Sequence, residues 1–430
     1  MIAFQAADPY FDTSRTVGGL FAMRAGAVGF LATALVLRRF SVIAGLSIGV
    51  TAVINLIWTV IQPGRADPLH FTQFRNQLIT AGLCFIPWVG FLAAGIFAKK
   101  CSPHVLDSGV HGCVEAFTET LFIPFRGLIK RWFFPLSGRR RMAHYSQPLD
   151  TRRILIPVTR IDRKTQKLFR SSIECFASSK TNNWKNGALV MFHGNCETAQ
   201  RPNGQEREYV AKGFNVFRIT LGGYPTQELD VGPPMQTTEG SIYQDADAII
   251  QYVKELGCRS IAVHGTSLGA VPAFAAAVLH PDVVKIVIAD RAFSRSRDVV
   301  ANVVKNLFAS MGLAKWVPTS IYRGIGGAGF PIGIQTAGIP LPIDGMDNRR
   351  KASLMKARLI TVESTDDEFM SVRPWGQNFS QDLLRARYMK QIPDGSWQSE
   401  AGTNPVRLPL TGGHNVALPQ DILVDALYFC

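Results

Sequence analysis

Two patterns of hydrophobic and polar positions divide the chain. Up to about residue 100 the apolar residues run together; from about Arg153 they fall into short β-rich runs alternating with helical stretches. Phe40–Gly64 is 25 residues without a charge, and Asn76–Ala98 adds 23 more. A bilayer-crossing helix needs about 20 apolar residues, so each run is long enough. The same runs also read as two buried core helices, although such helices are usually shorter and less uniformly apolar. An earlier run, Ala25–Leu37, is only 13 residues long with Arg24 at its edge. It reads as interfacial, re-entrant or a short third span.

In the second pattern, Ile154–Val158, Ala188–Phe192, Asn215–Ile219, Ser260–His264, Val284–Ala289, Ala357–Val362 and Val406–Leu410 read as strands. Tyr243–Leu256 and Ala270–Leu279 are helix-like stretches between them. Such alternation predicts an α/β class, a mostly parallel sheet with helices on both faces, preceded here by an α-helical transmembrane region. The expected organisation is a membrane anchor over 1–100, with a hairpin at 41–62 and 76–98 and the short segment within 18–37. A basic amphipathic linker over 101–151 follows, then an α/β domain over 152–430 with a cap-like insertion at 294–356. That insertion, rich in Gly and apolar residues, reads as a mobile cover or as an irregular surface excursion.

Composition agrees with part of the chain avoiding water. Charged residues are 18% of the 430, against about 25% in soluble domains. The net charge is +14, and Lys99–Arg141 alone holds eight basic and three acidic residues. A basic excess serves nucleic acid or anionic lipid. No nucleic-acid module accompanies it, and its apolar neighbours favour the lipid membrane as partner. Residues 114–141 mix aromatic side chains with Arg126, Lys130, Arg131 and Arg139–Arg141, as in a helix lying among headgroups or a linker helix packed on the following domain. Arg38 and Arg39 precede the first span and Lys99 and Lys100 follow the second. The positive-inside rule then places both ends, and the α/β domain, on the cytosolic side of a multi-pass protein. Seven widely spaced cysteines without a C-x-x-C pair argue against a disulfide framework or a structural zinc.

The chemistry centres on Gly265-Thr266-Ser267-Leu268-Gly269, between a strand and a helix. A serine on a sharp strand-to-helix turn needs small neighbours, because the turn is crowded by backbone. Gly45-Leu46-Ser47-Ile48-Gly49 matches the same pattern but sits in the first apolar run, so context selects Ser267. Of eight histidines, His414 follows the last strand in a Gly-bearing loop and is the expected base. The acid is expected between them in chain order, where the strand ARLITV runs into Glu363-Ser364-Thr365-Asp366-Asp367-Glu368. After Val190–Phe192 the chain turns at His193-Gly194-Asn195. The backbone N–H groups of Asn195 and Leu268 are the expected oxyanion hole. His193 reads as a hydrogen-bonded structural residue of that turn, and Cys196 lacks a Cys/His arrangement.

FHGN, the GGY of Gly222–Tyr224, GTSLGA, STDDEF and GGHN, in this order over about 185–420, resemble the alpha/beta-hydrolase superfamily. The chain looks most like its membrane-anchored branch, which includes lysophospholipid lipases and protein depalmitoylases. The resemblance implies Ser267 as nucleophile and His414 as base. In that branch the acid precedes another acid and an apolar residue, which selects Asp367, before Glu368-Phe369, over Asp366. It also implies a cap over an acyl pocket in the 294–356 insertion. The branch's usual Arg-Gly-Tyr-Gly reads here Gly222-Gly223-Tyr224-Pro225, a departure at the substrate-facing turn. The expected activity is cleavage of an ester or thioester in a lipid or lipidated substrate, through an acyl-enzyme and with no cofactor or metal. The alternative is a membrane-inserted effector or scaffold whose hydrolase fold does not turn over substrate.

Overall fold

The computed structural model describes residues 109–122, 133–134 and most of 151–414, with short helical stretches inside 45–53, 78–83 and 94–99. The expected spans at 41–62 and 76–98, the segment within 18–37 and most of the 101–151 linker lie largely outside the described residues. Among the described residues no helix is long and apolar enough to cross a membrane.

Contacts divide the chain into two compact units. One comprises 134–295, 338–341 and 346–430; the other comprises 1–133, 296–337 and 342–345. The expected boundary at 152, with 294–356 kept in the α/β domain, does not follow this division. Most of the insertion belongs with the N-terminal unit.

The first of these units holds an eight-stranded sheet in the order β1-β2-β4-β3-β5-β6-β7-β10. The strands are β1 (Thr151–Ile161), β2 (Leu168–Ser178), β3 (Ala188–Phe192), β4 (Asn215–Ile219), β5 (Ile261–Thr266), β6 (Val284–Asp290), β7 (Arg358–Ser364) and β10 (Val406–Leu410). β8 (Met389–Gln391) and β9 (Trp397–Ser399) form a separate antiparallel pair. β2 runs antiparallel to both neighbours, and every pairing from β4 to β10 is parallel. Among the described residues this unit also holds helices α2 (Gly204–Ala211), α3 (Glu239–Glu255), α4 (Ala270–Leu279), α7 (Asn348–Leu354) and α8 (Phe379–Tyr388).

All seven expected strands form within a few residues of their predicted ends. The central ones are buried on both faces, which is why they read as short continuous apolar runs rather than alternating ones. One face packs Leu189, Met191, Val216, Ile288, Ile360 and Val362 against Tyr209 and Val210 of α2. α4 is buried from Ala270 to Ala277, and its alanines let it approach the sheet closely. α3 starts four residues before the predicted point because Thr238 and Ser241 form a reciprocal cap there. β2 was not apparent in the sequence. Its buried Glu174, paired with Arg153 at 2.9 Å, interrupts the apolar run that would announce a strand.

In the other unit, α1 (Gly109–Phe122), α5 (Ser296–Ser310) and α6 (Thr319–Gly329) pack together. Glu115, fully buried, pairs with Arg297 and, at 3.2 Å, with Arg323. A Cβ at Gly324 would come within 2.5 Å of the Glu115 carbonyl oxygen, and one at Gly326 within 2.2 Å of the Arg297 carbonyl oxygen. Gly324 and Gly326, two of the glycines in the stretch expected to form a cover, are thus close-approach positions of a packed helix. Ile48, Ala81, Ala94 and Phe117 form a second small core in this unit.

Candidate active site

Parallel register brings the chemistry to one edge of the sheet. Phe192 pairs with Gly265, Thr266 with Asp290, Asp290 with Val362, and Ser364 with Leu410. The turns leaving β3, β5, β6, β7 and β10 therefore start at one level. They carry Asn195, Ser267, Arg291, Asp367 and His414 in that order.

Ser267 has φ +54, a left-handed conformation that non-glycine residues rarely adopt. It is the first residue of a 3-10 turn, Ser267–Gly269, that leads directly into α4. The flanking glycines are sterically required. A Cβ at Gly265 would lie 2.2 Å from the Gly269 carbonyl oxygen, and one at Gly269 would lie 2.1 Å from the Phe192 carbonyl oxygen. This local crowding, together with the sheet order and the antiparallel second strand, makes the fold alpha/beta-hydrolase-like.

Asp367 and His414 are in contact, with Nδ1 of the imidazole 2.6 Å from Oδ2 of the carboxylate. The other carboxylate oxygen accepts the Met370 N–H at 2.8 Å, and the Asp367 side chain is fully buried. With Nδ1 donating to an ionised carboxylate, Nε2 of His414 is the acceptor nitrogen. Two neighbouring acids are otherwise engaged. Asp366 is exposed and accepts the Gly412 N–H at 2.9 Å, while Glu363 pairs with Arg407 of β10.

The turn after β3 lies beside the nucleophile, since a Cβ at Gly194 would be 3.8 Å from that of Ser267. Leu268 is buried in the elbow turn. The Asn195 side-chain oxygen accepts a hydrogen bond from the Tyr224 hydroxyl at 2.5 Å, which fixes the residue in this turn. His193 accepts the Leu221 N–H on Nε2 at 3.0 Å, which leaves Nδ1 to donate to the Gly194 carbonyl at 2.7 Å. Both nitrogens are thus committed, and burial holds this imidazole below its ordinary pKa. Among the other potential nucleophiles, burial pushes the Cys175 and Cys258 thiols up, the latter to about 11. Cys196 lies outside the described residues.

The departure at Gly222 has a structural counterpart. A Cβ there would come 2.7 Å from Nη2 of Arg160, whose buried guanidinium binds Asp245 at 2.6 Å. The Gly222 N–H donates to the other oxygen of Asp245, also at 2.6 Å. An arginine from β1 therefore fills the space that a side chain at 222 would enter.

Sequence reading also missed Asp290 and Arg291. Nε and Nη2 of Arg291 each donate to one oxygen of Asp290, both at 2.8 Å. Burial disfavours the Arg291 cation, but the hydrogen bonds and charge of Asp290 outweigh it and raise its pKa. Burial likewise opposes the Asp290 carboxylate, and His264 and Arg291 hold it below the usual range. The available signal was positional: a charged pair directly after the strand VKIVIA, at the sheet edge that carries the elbow.

No protein-family model and no curated protein matches the chain. Solved structures similar to it include an esterase of Pyrococcus furiosus, 13% identical with a TM-score of 0.42, covering 68% of this chain and 94% of its own. A putative hydrolase of Bacillus subtilis is 12% identical with a TM-score of 0.38, covering 71% and 96%. A thioesterase domain from the curacin biosynthetic pathway is 15% identical with a TM-score of 0.35, covering 64% and 100%. At such identities and scores, what this chain does rests on its own site.

Proposed function

We propose that the chain is a membrane-anchored serine hydrolase that cleaves an ester or thioester of a lipid or lipidated substrate. The observation that carries the reading is the buried Asp367 bound at 2.6 Å to His414, at the sheet edge where Ser267 sits at φ +54 between two sterically required glycines. In the proposed reaction Oγ of Ser267 attacks the carbonyl carbon while Nε2 of His414 takes the hydroxyl proton. The oxyanion of the tetrahedral intermediate accepts the N–H groups of Leu268 and Asn195. Its collapse breaks the bond to the alcohol or thiol, which leaves with the proton returned by His414. Water, deprotonated by the same imidazole, then attacks the acyl-enzyme and frees the acid and Ser267. Asp367 stays ionised throughout and stabilises the imidazolium.

The membrane part draws support from the N-terminal unit. Leu46, Val50 and Val53, at helical spacing, are each about half exposed, whereas Ile48 and Ala52 between them are buried. Ile48 meets Ala81 and Ala94, and Ile96 is 56% exposed. Small residues at the contacts with large apolar side chains outward is the distribution that suits helices in lipid.

A fluorophosphonate probe tests the chemistry, since only an activated serine labels. The full chain in detergent is expected to label at Ser267 and to hydrolyse a soluble ester. Ser267→Ala should lose both, and Ser47→Ala should keep both. Labelling that persists in Ser267→Ala refutes the assignment. A folded parent that neither labels nor hydrolyses supports the non-catalytic scaffold instead. Carbonate extraction that frees the chain from membranes refutes the anchor.

A further inference from the structure

A buried polar strut joins the nucleophile elbow to the loop of the base. Asp290 ends β6 and is fully buried; its Oδ2 accepts the hydroxyl of Thr266, the residue before Ser267, at 3.2 Å. Arg291 grips both oxygens of Asp290, and its remaining nitrogen, Nη1, donates to the His414 carbonyl oxygen at 2.6 Å. The Arg291 backbone N–H is held by the Val362 carbonyl at 2.7 Å, and the residue sits at φ +47. A left-handed conformation at a buried, non-glycine residue persists only where the surroundings over-determine it. His414 is thereby held at two points, its ring by Asp367 and its backbone by Arg291.

We propose that Arg291, fixed by Asp290, is a positioning residue that sets the place of His414 relative to Ser267. This inference rests on the serine-hydrolase reading above. Only a guanidinium has the planar fork for two parallel bonds to one carboxylate and a further donor for a carbonyl on the other side. Earlier in the β10 loop, Gly412 is tied to Asp366 and to Ser364, two residues before the imidazole. Among the described residues, Asp290, Asp367 and Glu197 act on the Arg291 charge, so its cation also acts on the ion pair that forms when His414 takes a proton.

The test is the rate at which the fluorophosphonate labels Ser267, followed across pH in the full chain in detergent. Arg291→Lys keeps a cation beside Asp290 but cannot fork and reach the carbonyl together. It should label about tenfold more slowly with the acidic limb of the profile unmoved. Arg291→Gly suits the positive φ and removes the cation. It should be slower still, and its acidic limb should move up by about half to one pH unit, because a charge that disfavours the imidazolium is gone. Added guanidinium ion should restore part of that loss while leaving the parent unchanged. An Arg291→Lys protein that labels at the parental rate overturns the proposal, whether or not Arg291→Gly folds. A folded Arg291→Gly with the parental rate and profile also overturns it. A parent that does not label overturns the underlying reading, whereas labelling parent and variants alike overturns only the role of Arg291.

Discussion

Replacing Asp367 by Asn examines the site at the atom where its chemistry is decided. Oδ2 accepts from Nδ1 of His414 at 2.6 Å, and Oδ1 accepts from the Met370 N–H at 2.8 Å. The Asn carbonyl oxygen satisfies Met370 as before, so its NH2 group turns to the imidazole. Two donors cannot face each other; Nδ1 must become the acceptor, and the ring proton moves to Nε2. Nε2 can then no longer take the Ser267 proton. A wrong-tautomer triad costs about 10⁴ in turnover, roughly 5 kcal/mol at 1.36 kcal/mol per tenfold. Asp366, one residue away, is exposed and accepts the Gly412 N–H. Asp366→Asn retains an acceptor for that bond and should cost less than about tenfold. The assay is kcat on one soluble ester for both variants, with unfolding midpoints measured alongside. The reverse ranking would move the acid by one residue. Equal small losses would refute the reasoning from tautomer to rate.

Other outcomes follow from the packing. Ser267→Gly should raise the thermal midpoint while abolishing activity, since it relieves a left-handed conformation costing about 1–3 kcal/mol; an unchanged or lower midpoint argues against strain at the elbow. Gly269→Ala should destabilise severely or fail to fold, because its Cβ would meet the Phe192 carbonyl oxygen at 2.1 Å; calorimetry showing a near-parental midpoint would contradict the close approach. Glu115→Ala leaves Arg297 and Arg323 buried without that carboxylate, a loss of about 3–5 kcal/mol. It should melt lower than the parent chain, and equal midpoints would mean the pairs contribute little. Burial keeps His193 neutral in the fold, with its pKa below the unfolded value of about 6.5. Below that pH the unfolded chain binds more protons, so this contribution to stability is complete above about 6.5 and falls as pH drops. Urea midpoints should decline over that range, less steeply in His193→Gln; identical slopes would exclude His193 as the source.

The strands and the glycine-flanked turn that carries Ser267 were legible in the sequence because each depends on neighbours within a few residues. Buried strands announce themselves as short apolar runs, and the clash of a Cβ with backbone permits only glycine at 265 and 269. The choice among adjacent acids is another matter. Asp366 and Asp367 differ by one position in the chain but separate into solvent and interior, which depends on the β10 loop 46 and 47 residues further on. Local pattern is equally silent where charge is buried. Arg160 fills the space over Gly222, Arg291 reaches the backbone of a residue 123 positions away, and Glu115 gathers two arginines of the insertion into the N-terminal unit. Nothing among their sequence neighbours marks any of these charges as buried. A buried ion is tolerable only beside its partner, and which partner arrives is decided when the chain closes long loops upon itself.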